Sequence, residues 1–286
     1  MAFQKFKPEV WSKKFMEDLD KTLVFKENCN HTYEGDAKKP GDGVRIFGLG
    51  DVEIDAWHNG QLGTLGTAQE VTGHSIYMPI NEIRYFNFQV GDDLDRAQAM
   101  GGSGLMGKFT TKAKDAVADE IDQFISKLHV GKCEKAYNSD QLIAVTAGGG
   151  AVSILDAIDT AYLKLLENNV SRSTKVTLTA PPWFIMMLKR AYVELDTDNS
   201  AMLANGRVGR YGGIILKESN NVYVDGSNHS HIQLKTDEAL AFVNPYTHME
   251  GYRPDSTFID CVKGYTLFDG MVVQPKQVID LNVYKS

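Results

Sequence analysis

Residues 108–128 read KFTTKAKDAVADEIDQFISKL, and the rest of the chain is read outward from them. Phe109, Ala113, Ala116, Val117, Ile121, Phe124, Ile125 and Leu128 recur at helical spacing and form one apolar stripe. Lys112, Lys114, Asp115, Asp119, Glu120 and Asp122 lie between them. Acids interleaved with lysines on a helix read as a solvated face, not as paired catalytic carboxylates. Thr110 or Thr111 suits the start. The pattern predicts one long helix over 108–128.

Upstream the texture changes. Nine glycines fall between Gly35 and Gly73, flanked by strand-like pieces at 43–47 and 51–57. Residues 75–80 and 82–90 alternate apolar and polar side chains, as half-buried strands do. Asp51 to Pro79 reads as a long two-stranded excursion with a glycine-rich tip. A lone two-stranded ribbon is marginal in water, so this one needs support, a neighbouring subunit being one source. Before it, residues 8–26 place Trp11, Phe15, Leu19 and Leu23 at four-residue spacing, with Pro8 at a suitable helix start. An amphipathic helix at a chain end has little of its own domain to pack on.

Downstream, residues 151–167 predict a second long helix stopped by Asn168-Asn169, residues 175–180 a strand, and Pro181-Pro182 a helix through Tyr192. This central part is α/β. From Gly212 onward short strands are expected, ending in a long β-rich stretch over 271–284. There is no internal repeat.

The 286 residues suit one large domain or two modest ones. Thirty basic against thirty-seven acidic residues give a net charge of −7, which argues against a chain that grips DNA phosphates to read sequence. No apolar run approaches the ~20 residues that span a bilayer. The first residues carry Lys5, Lys7, Lys13 and Lys14 without an apolar core, so no secretory signal is expected. Three scattered cysteines, Cys29, Cys133 and Cys261, form no disulfide framework and no zinc ribbon. The Asn-x-Ser/Thr triplets at 30, 169 and 228 read as chance in such a chain.

Few motifs offer chemistry. Gly102-Ser103-Gly104-Leu105-Met106-Gly107-Lys108 satisfies GxGxxG, but Phe109 stands where a phosphate loop needs Ser or Thr, and no buried strand feeds the glycines. A hinge before the long helix is the better reading. Gly148-Gly149-Gly150 lacks a basic neighbour and reads as a tight turn. His229 and His231 alternate as metal ligands on a strand do, with His248 as the third imidazole, but surface histidines explain them as well. There is no nucleophile elbow and no cysteine in a nucleophile context. The reading is therefore not an enzyme, with no catalytic residue, no metal and no cofactor. Arms that need partners point to a subunit of a shell or lattice.

In that light the sequence resembles a known family, the major capsid proteins of tailed bacteriophages, whose fold is named after phage Hong Kong ninety-seven. The resemblance rests on Phe6-Lys7-Pro8-Glu9-Val10-Trp11-Ser12, then Val24-Phe25, Asn30, Tyr33-Glu34-Gly35 and Gly41-Asp42-Gly43-Val44-Arg45-Ile46. Ile154-Leu155-Asp156-Ala157-Ile158-Asp159 and Glu167-Asn168-Asn169-Val170 follow, then Asn205-Gly206-Arg207-Val208-Gly209-Arg210-Tyr211-Gly212-Gly213, Ser219-Asn220-Asn221-Val222, Phe258, Asp260 and Val262-Lys263-Gly264-Tyr265. The family often has Thr where Gly43 stands and Pro where Ser171 stands.

The resemblance implies an α+β phage capsid fold in four parts. Residues 1–34 would be an N-terminal arm. Residues 35–135 would open a peripheral domain containing an extended hairpin loop at 48–80 and the spine helix at 108–128. Residues 136–250 would be an α/β axial domain, and 251–286 would return as C-terminal strands of the peripheral domain. The implied function is a coat protein that self-assembles through pentamers and hexamers into an icosahedral shell around double-stranded DNA, without sequence-specific DNA binding and without a membrane. The location would be the virion, after assembly in the cytoplasm of a bacterial host. A separate scaffolding protein is expected because the chain begins at the arm motif; portal and decoration proteins are further expected partners.

Assembly contacts are expected from Phe6, Pro8, Trp11, Phe15, Leu19 and Leu23 of the arm, clamped on a neighbour or on the chain's own spine. Others are expected from Trp57, Leu62 and Leu65 of the loop. The family motif Asn205, Gly206, Arg207, Gly209 and Arg210 lies in the axial part, where the arginines would set register more than affinity. No lysine lies between Lys39 and Lys108, so the loop lacks the amine that the namesake phage uses for its isopeptide lock, and a non-covalent shell is expected. Two rivals remain. One is a non-viral shell or nanocompartment on the same fold. The other is a nucleotide-binding enzyme using Gly102–Lys108.

Overall fold

The computed structural model describes residues 24–33, 43–48, 73–89, 105–194, 209–252, 254–255 and 261–285. Three sheets and three α-helices organise them. The strands are β1 (Val44–Gly48), β2 (His74–Met78), β3 (Glu82–Gln89), β4 (Glu134–Lys135), β5 (Gln141–Ala144), β6 (Val152–Ser153), β7 (Val176–Ala180), β8 (Arg210–Tyr211), β9 (Ile214–Glu218), β10 (Ser230–Thr236), β11 (Leu240–Tyr252), β12 (Cys261–Val272) and β13 (Val278–Lys285). The helices are α1 (Leu105–Lys127), α2 (Ile154–Glu167) and α3 (Pro182–Glu194).

The eight-stranded sheet runs β6-β5-β13-β10-β7-β9-β8, with β4 beside β13. It mixes parallel pairs (β7 with β9, β5 with β13) and antiparallel ones (β10 with both β7 and β13). Every residue of β7 and β10 is buried, so both faces are covered. Gln233 of β10 reaches the carbonyls of Ile125 and Ser126 on α1. By alternation Ile232 and Leu234 take the opposite face, and both join one core with Ile158 and Leu165 of α2 and Phe184 and Leu188 of α3.

The three-stranded sheet runs β11-β12-β3, all antiparallel. One face packs on α1: Phe268 meets Phe124 edge-on with centroids 5.4 Å apart, and Phe88 lies 6.3 Å from Phe109. The opposite face, through Leu267, Ala241 and Val243, packs on Val44, Ile46, Met78 and Ile80. The base of the β1–β2 ribbon therefore leans on the chain's own sheet. The register of β11 shifts between Val243 and Tyr246, where Pro245 has no N–H for the ladder.

Local chemistry explains several boundaries. Asn169 ends α2 at φ 63°, and the N–H groups of Asn169 and Val170 return to the carbonyls of Leu166 and Leu165. That is the Schellman arrangement, with Asn in the left-handed position. Pro182 opens α3, where a missing N–H costs nothing. Gly212 and Gly213, both at positive φ, make the two-residue hairpin from β8 to β9.

Some expectations need correction. The spine helix begins at Leu105, so Leu105–Lys108 form its first turn and not a hinge. Residues 152–153 are strand, not helix: Gly149 and Gly150 at φ 61° and 86° turn the chain so that β6 lies parallel to β5 before α2 starts. β11 and β12 are long, at 13 and 12 residues. The stretch 271–284 is not one strand, because a 3-10 turn at Pro275–Gln277 separates β12 from β13. Its two strands also part company, β12 joining the three-stranded sheet and β13 the centre of the eight-stranded one. The expected common return of 251–286 to one peripheral unit is thus divided. β11 pairs with β12, and β12 in turn with β3.

Candidate assembly site

The N-terminal end of the described chain is clasped, and the clasp centres on Asp122. Residues 24–33 contain a 3-10 turn at Lys26–Asn28 whose own side chains provide no cap. Asp122 supplies it from α1. Its carboxylate accepts the backbone N–H groups of Val24 at 3.2 Å, Phe25 at 2.8 Å and Lys26 at 3.1 Å. Asn221 donates its side-chain amide to Asp122 at 3.3 Å and to Asp119 at 2.7 Å. Asp122 is fully buried, which corrects the reading of it as part of a solvated face. A buried carboxylate persists only with such a set of donors.

Further ties hold the same segment. Phe25 is fully buried. Asn30 bridges to β11, donating to the Leu240 carbonyl at 2.8 Å and accepting from the Phe242 N–H at 3.1 Å. The Lys235 ammonium, on the α1 side of β10, donates to the carbonyl of Asn28. Burial pushes the Lys235 amine below its ordinary range. Ten residues thus strap α1, the eight-stranded sheet and the three-stranded sheet together.

A second polar cluster fixes the far end of α1. Asp280 of β13 lies between His231 Nδ1 at 2.9 Å and His129 Nε2 at 3.3 Å, and all three side chains are buried. Gln233, held by the Ile125 and Ser126 carbonyls at 3.1 Å each, turns its amide to His129 Nδ1 at 2.8 Å. Burial raises the Asp280 carboxyl, but the hydrogen bonds from His129 and His231 outweigh it and hold it down at about 2. Nearby, His229 Nδ1 lies 3.0 Å from Asp140 and 3.4 Å from Asp225.

The proposed histidine trio does not assemble. His231 is buried against Asp280, contrary to a surface position, while His248 sits on β11 in the other sheet, 3.3 Å from Glu250. Among the described residues no three His, Cys, Asp or Glu side chains converge as metal ligands. Leu105–Lys108 of the glycine motif are helical; Gly102, Ser103 and Gly104 lie outside the described residues. Among the described residues no helix is long and apolar enough to cross a membrane.

The expected arm contacts Phe6, Pro8, Trp11, Phe15, Leu19 and Leu23 lie outside the described residues, as do the loop contacts Trp57, Leu62 and Leu65 and the motif residues Asn205, Gly206 and Arg207. Gly209 and Arg210 are described: the Gly209 carbonyl accepts from Leu216 at 3.1 Å, and Arg210 is exposed on β8. At the base of the loop the ribbon's outer face presents Phe47, 78% exposed, and Tyr77, 55% exposed. Sequence reading missed these two, as it missed Asp122. The signal for Asp122 was its place one turn before Ile125, at the edge of the apolar stripe.

No protein-family model and no curated protein matches this chain. Solved structures do. A chain from Mycobacterium phage Che8 is 24% identical, with a TM-score of 0.75 and 98% of each chain covered. A chain from the capsid of cyanophage P-SCSP1u is 15% identical at TM-score 0.73, covering 99% of this chain and 94% of that one. One from the mature capsid of bacteriophage PhiM1 is 14% identical at TM-score 0.69, covering 99% and 92%. A chain from the capsid of a native GTA particle is 10% identical at TM-score 0.67, covering 97% and 95%. Laid end to end on these chains, with its long helix, its ribbon base and its two main sheets, this chain has the fold of tailed-phage major capsid proteins.

Proposed function

We propose that this chain is a major capsid protein, the repeating subunit of a closed shell that encloses double-stranded DNA. The observation that carries the reading is the likeness to capsid chains over nearly the whole length of both partners. The role is structural. α1 with the three-stranded sheet serves as the peripheral part and the eight-stranded sheet with α2 and α3 as the axial part, meeting its copies in pentamers and hexamers. The ribbon, through Phe47 and Tyr77 at its base and Trp57, Leu62 and Leu65 towards its tip, buries apolar area on the next subunit. The acidic chain contacts packaged DNA without reading sequence. Assembly takes place in the bacterial host with a separate scaffolding protein, a portal and a decoration protein as partners.

A second reading, a particle that is not a phage virion, is favoured by one observation, the likeness to the GTA capsid chain. Electron microscopy of the purified protein, alone and co-expressed with its neighbouring genes, tests both. Closed shells, tubes or capsomer rings support a capsid subunit, and the nature of any packaged nucleic acid separates the two readings. Small discrete particles in both samples would count against a shell of either kind.

A further inference from the structure

The face of the eight-stranded sheet that meets α1 is polar at its centre. Gln233 and Lys235 of β10 share that face by alternation. Gln233 reaches the Ile125 and Ser126 carbonyls on α1, and Lys235 the Asn28 carbonyl of the N-terminal segment. Antiparallel pairing sets Thr179 of β7 opposite Gln233 and Thr177 opposite Lys235, so both threonines point the same way. All four side chains are at most 1% exposed. Yet the hydroxyls of Thr177 and Thr179 and the Oε1 of Gln233 have no hydrogen-bond partner among the described residues. An ammonium has three N–H bonds to place, and among the described residues the acceptor for Lys235 is the Asn28 carbonyl alone.

We propose that internal water binds in this seam, held by Lys235, Thr177, Thr179 and Gln233. Side-chain length supplies the room. A threonine hydroxyl ends one bond beyond Cβ, whereas Gln233 and Lys235 reach across to the next layer. The two hydroxyls are therefore left low beside two tall neighbours. The unpaired atoms identify the ligand. The ammonium and the hydroxyls offer protons, and the amide oxygen only accepts. A metal ion is repelled by the ammonium, and an anion by the Gln233 oxygen. Water both donates and accepts, and it needs two to four polar partners of this kind. Holding a water costs less than leaving a buried polar group unpaired. Water thereby links β7 to Lys235, and through Lys235 to the N-terminal segment. The inference concerns the folded chain alone and does not depend on shell formation.

The test compares the full, unassembled chain with a variant carrying Thr177→Val and Thr179→Val. Valine keeps the shape of threonine and lacks the hydroxyl. Denaturant unfolding gives the folding equilibrium constant, and magnetic relaxation dispersion of the solvent counts long-lived internal waters. The expected result is a folding constant lowered about tenfold, together with the loss of at least one long-lived water. Hydroxyls buried dry and unpaired would give the opposite sign, because removing them relieves a desolvation cost. A variant as stable as wild type, or more stable, would therefore overturn the proposal. So would a loss of stability with the water count unchanged, since the hydroxyls would then bond to protein. If the double variant does not fold, a high-resolution crystal structure of the wild-type chain decides the point. Water within about 3.2 Å of Lys235 Nζ and both hydroxyls is expected there, and protein atoms filling that space would overturn it. Electron microscopy of the wild-type chain reports on the shell separately, so loss of one reading is not mistaken for loss of the other.

Discussion

Asp122 accepts the backbone N–H of Phe25 at 2.8 Å across 97 positions of sequence. Two neighbouring N–H groups and the Asn221 amide share the same carboxylate. Removing it strands buried donors at the root of the N-terminal segment. Asp122→Ala is expected to destabilise the chain by about 3 kcal/mol, from several donors left without an acceptor. Denaturant unfolding measures that loss. Limited trypsin digestion should also show new cleavage at Lys26 at native conditions, before global unfolding. Unchanged protection of Lys26 would mean that Phe25 and the Asn30 bridge hold the segment without the carboxylate.

Asp280 gives a pH dependence with a definite sign. Its folded-state value, held down at about 2, lies below the ordinary carboxylate value of the unfolded chain. Its contribution is therefore present at neutral pH, shrinks as the pH falls below about 4, and is gone once the folded carboxylate protonates near 2. A shift of that size corresponds to about 2 kcal/mol. Asp280→Asn should lower stability at pH 7 and narrow its gap to wild type as the pH approaches 2. Parallel curves for the two proteins across that window would show that the carboxylate is not the linked group.

The thiols should be silent in the folded chain. Burial, helped by the nearby Asp280 charge, pushes the Cys133 thiol up to about 12 although the residue is only partly buried. At pH 8 that lowers the thiolate fraction by about a thousandfold relative to a free cysteine. Its Sγ also donates to the His129 carbonyl at 3.2 Å. Cys29 is buried and raised as well. A disulfide reagent at pH 8 should label these two only as fast as the protein opens, and rapidly in denaturant. Fast native labelling at Cys133 would contradict the packing around Asp280.

The shell, if formed as proposed, should carry no covalent links from its loop. Residues 40–107 contain no lysine, so the loop has no amine to offer. Mature particles boiled in detergent should run as one band near the chain mass of 31.7 kDa. A ladder of multimers would place a cross-link elsewhere in the chain.

What the sequence made legible follows from which interactions are local. The stripe of α1, Pro182 at the start of α3 and Asn168-Asn169 at the end of α2 depend on neighbours a few residues away, and their reading held. β10 did not read as a two-sided core strand. Its sequence SHIQLKT alternates polar and apolar side chains as a half-solvated strand does, yet all seven residues are buried. Gln233, His231 and Lys235 find partners on α1, β13 and the N-terminal segment, all more than forty positions away. Asp122 was misread for the same reason: the groups that justify its burial are about a hundred positions distant. The division of β12 and β13 between two sheets is likewise a long-range pairing that no local pattern encodes.

A Trp57→Ala variant tests whether the ribbon's proposed contacts lie within a subunit or between subunits. Trp57 lies outside the described residues, whereas the ribbon's base is described. Val44, Ile46, Met78 and Ile80 are each buried on Ala241, Val243 and Leu267 of the same chain. That base has its own core, so a change towards the tip has little of the subunit's stability to remove. An aromatic anchor seated on the next subunit is different, because truncating one costs about 2 kcal/mol or more at each contact and a shell repeats the contact throughout. Trp57→Ala should therefore leave the unfolding midpoint of the unassembled chain unchanged while shells become scarce or malformed in micrographs. If the midpoint falls in step with the loss of shells, Trp57 packs inside its own subunit, and the ribbon's tip is not the part that binds the neighbour.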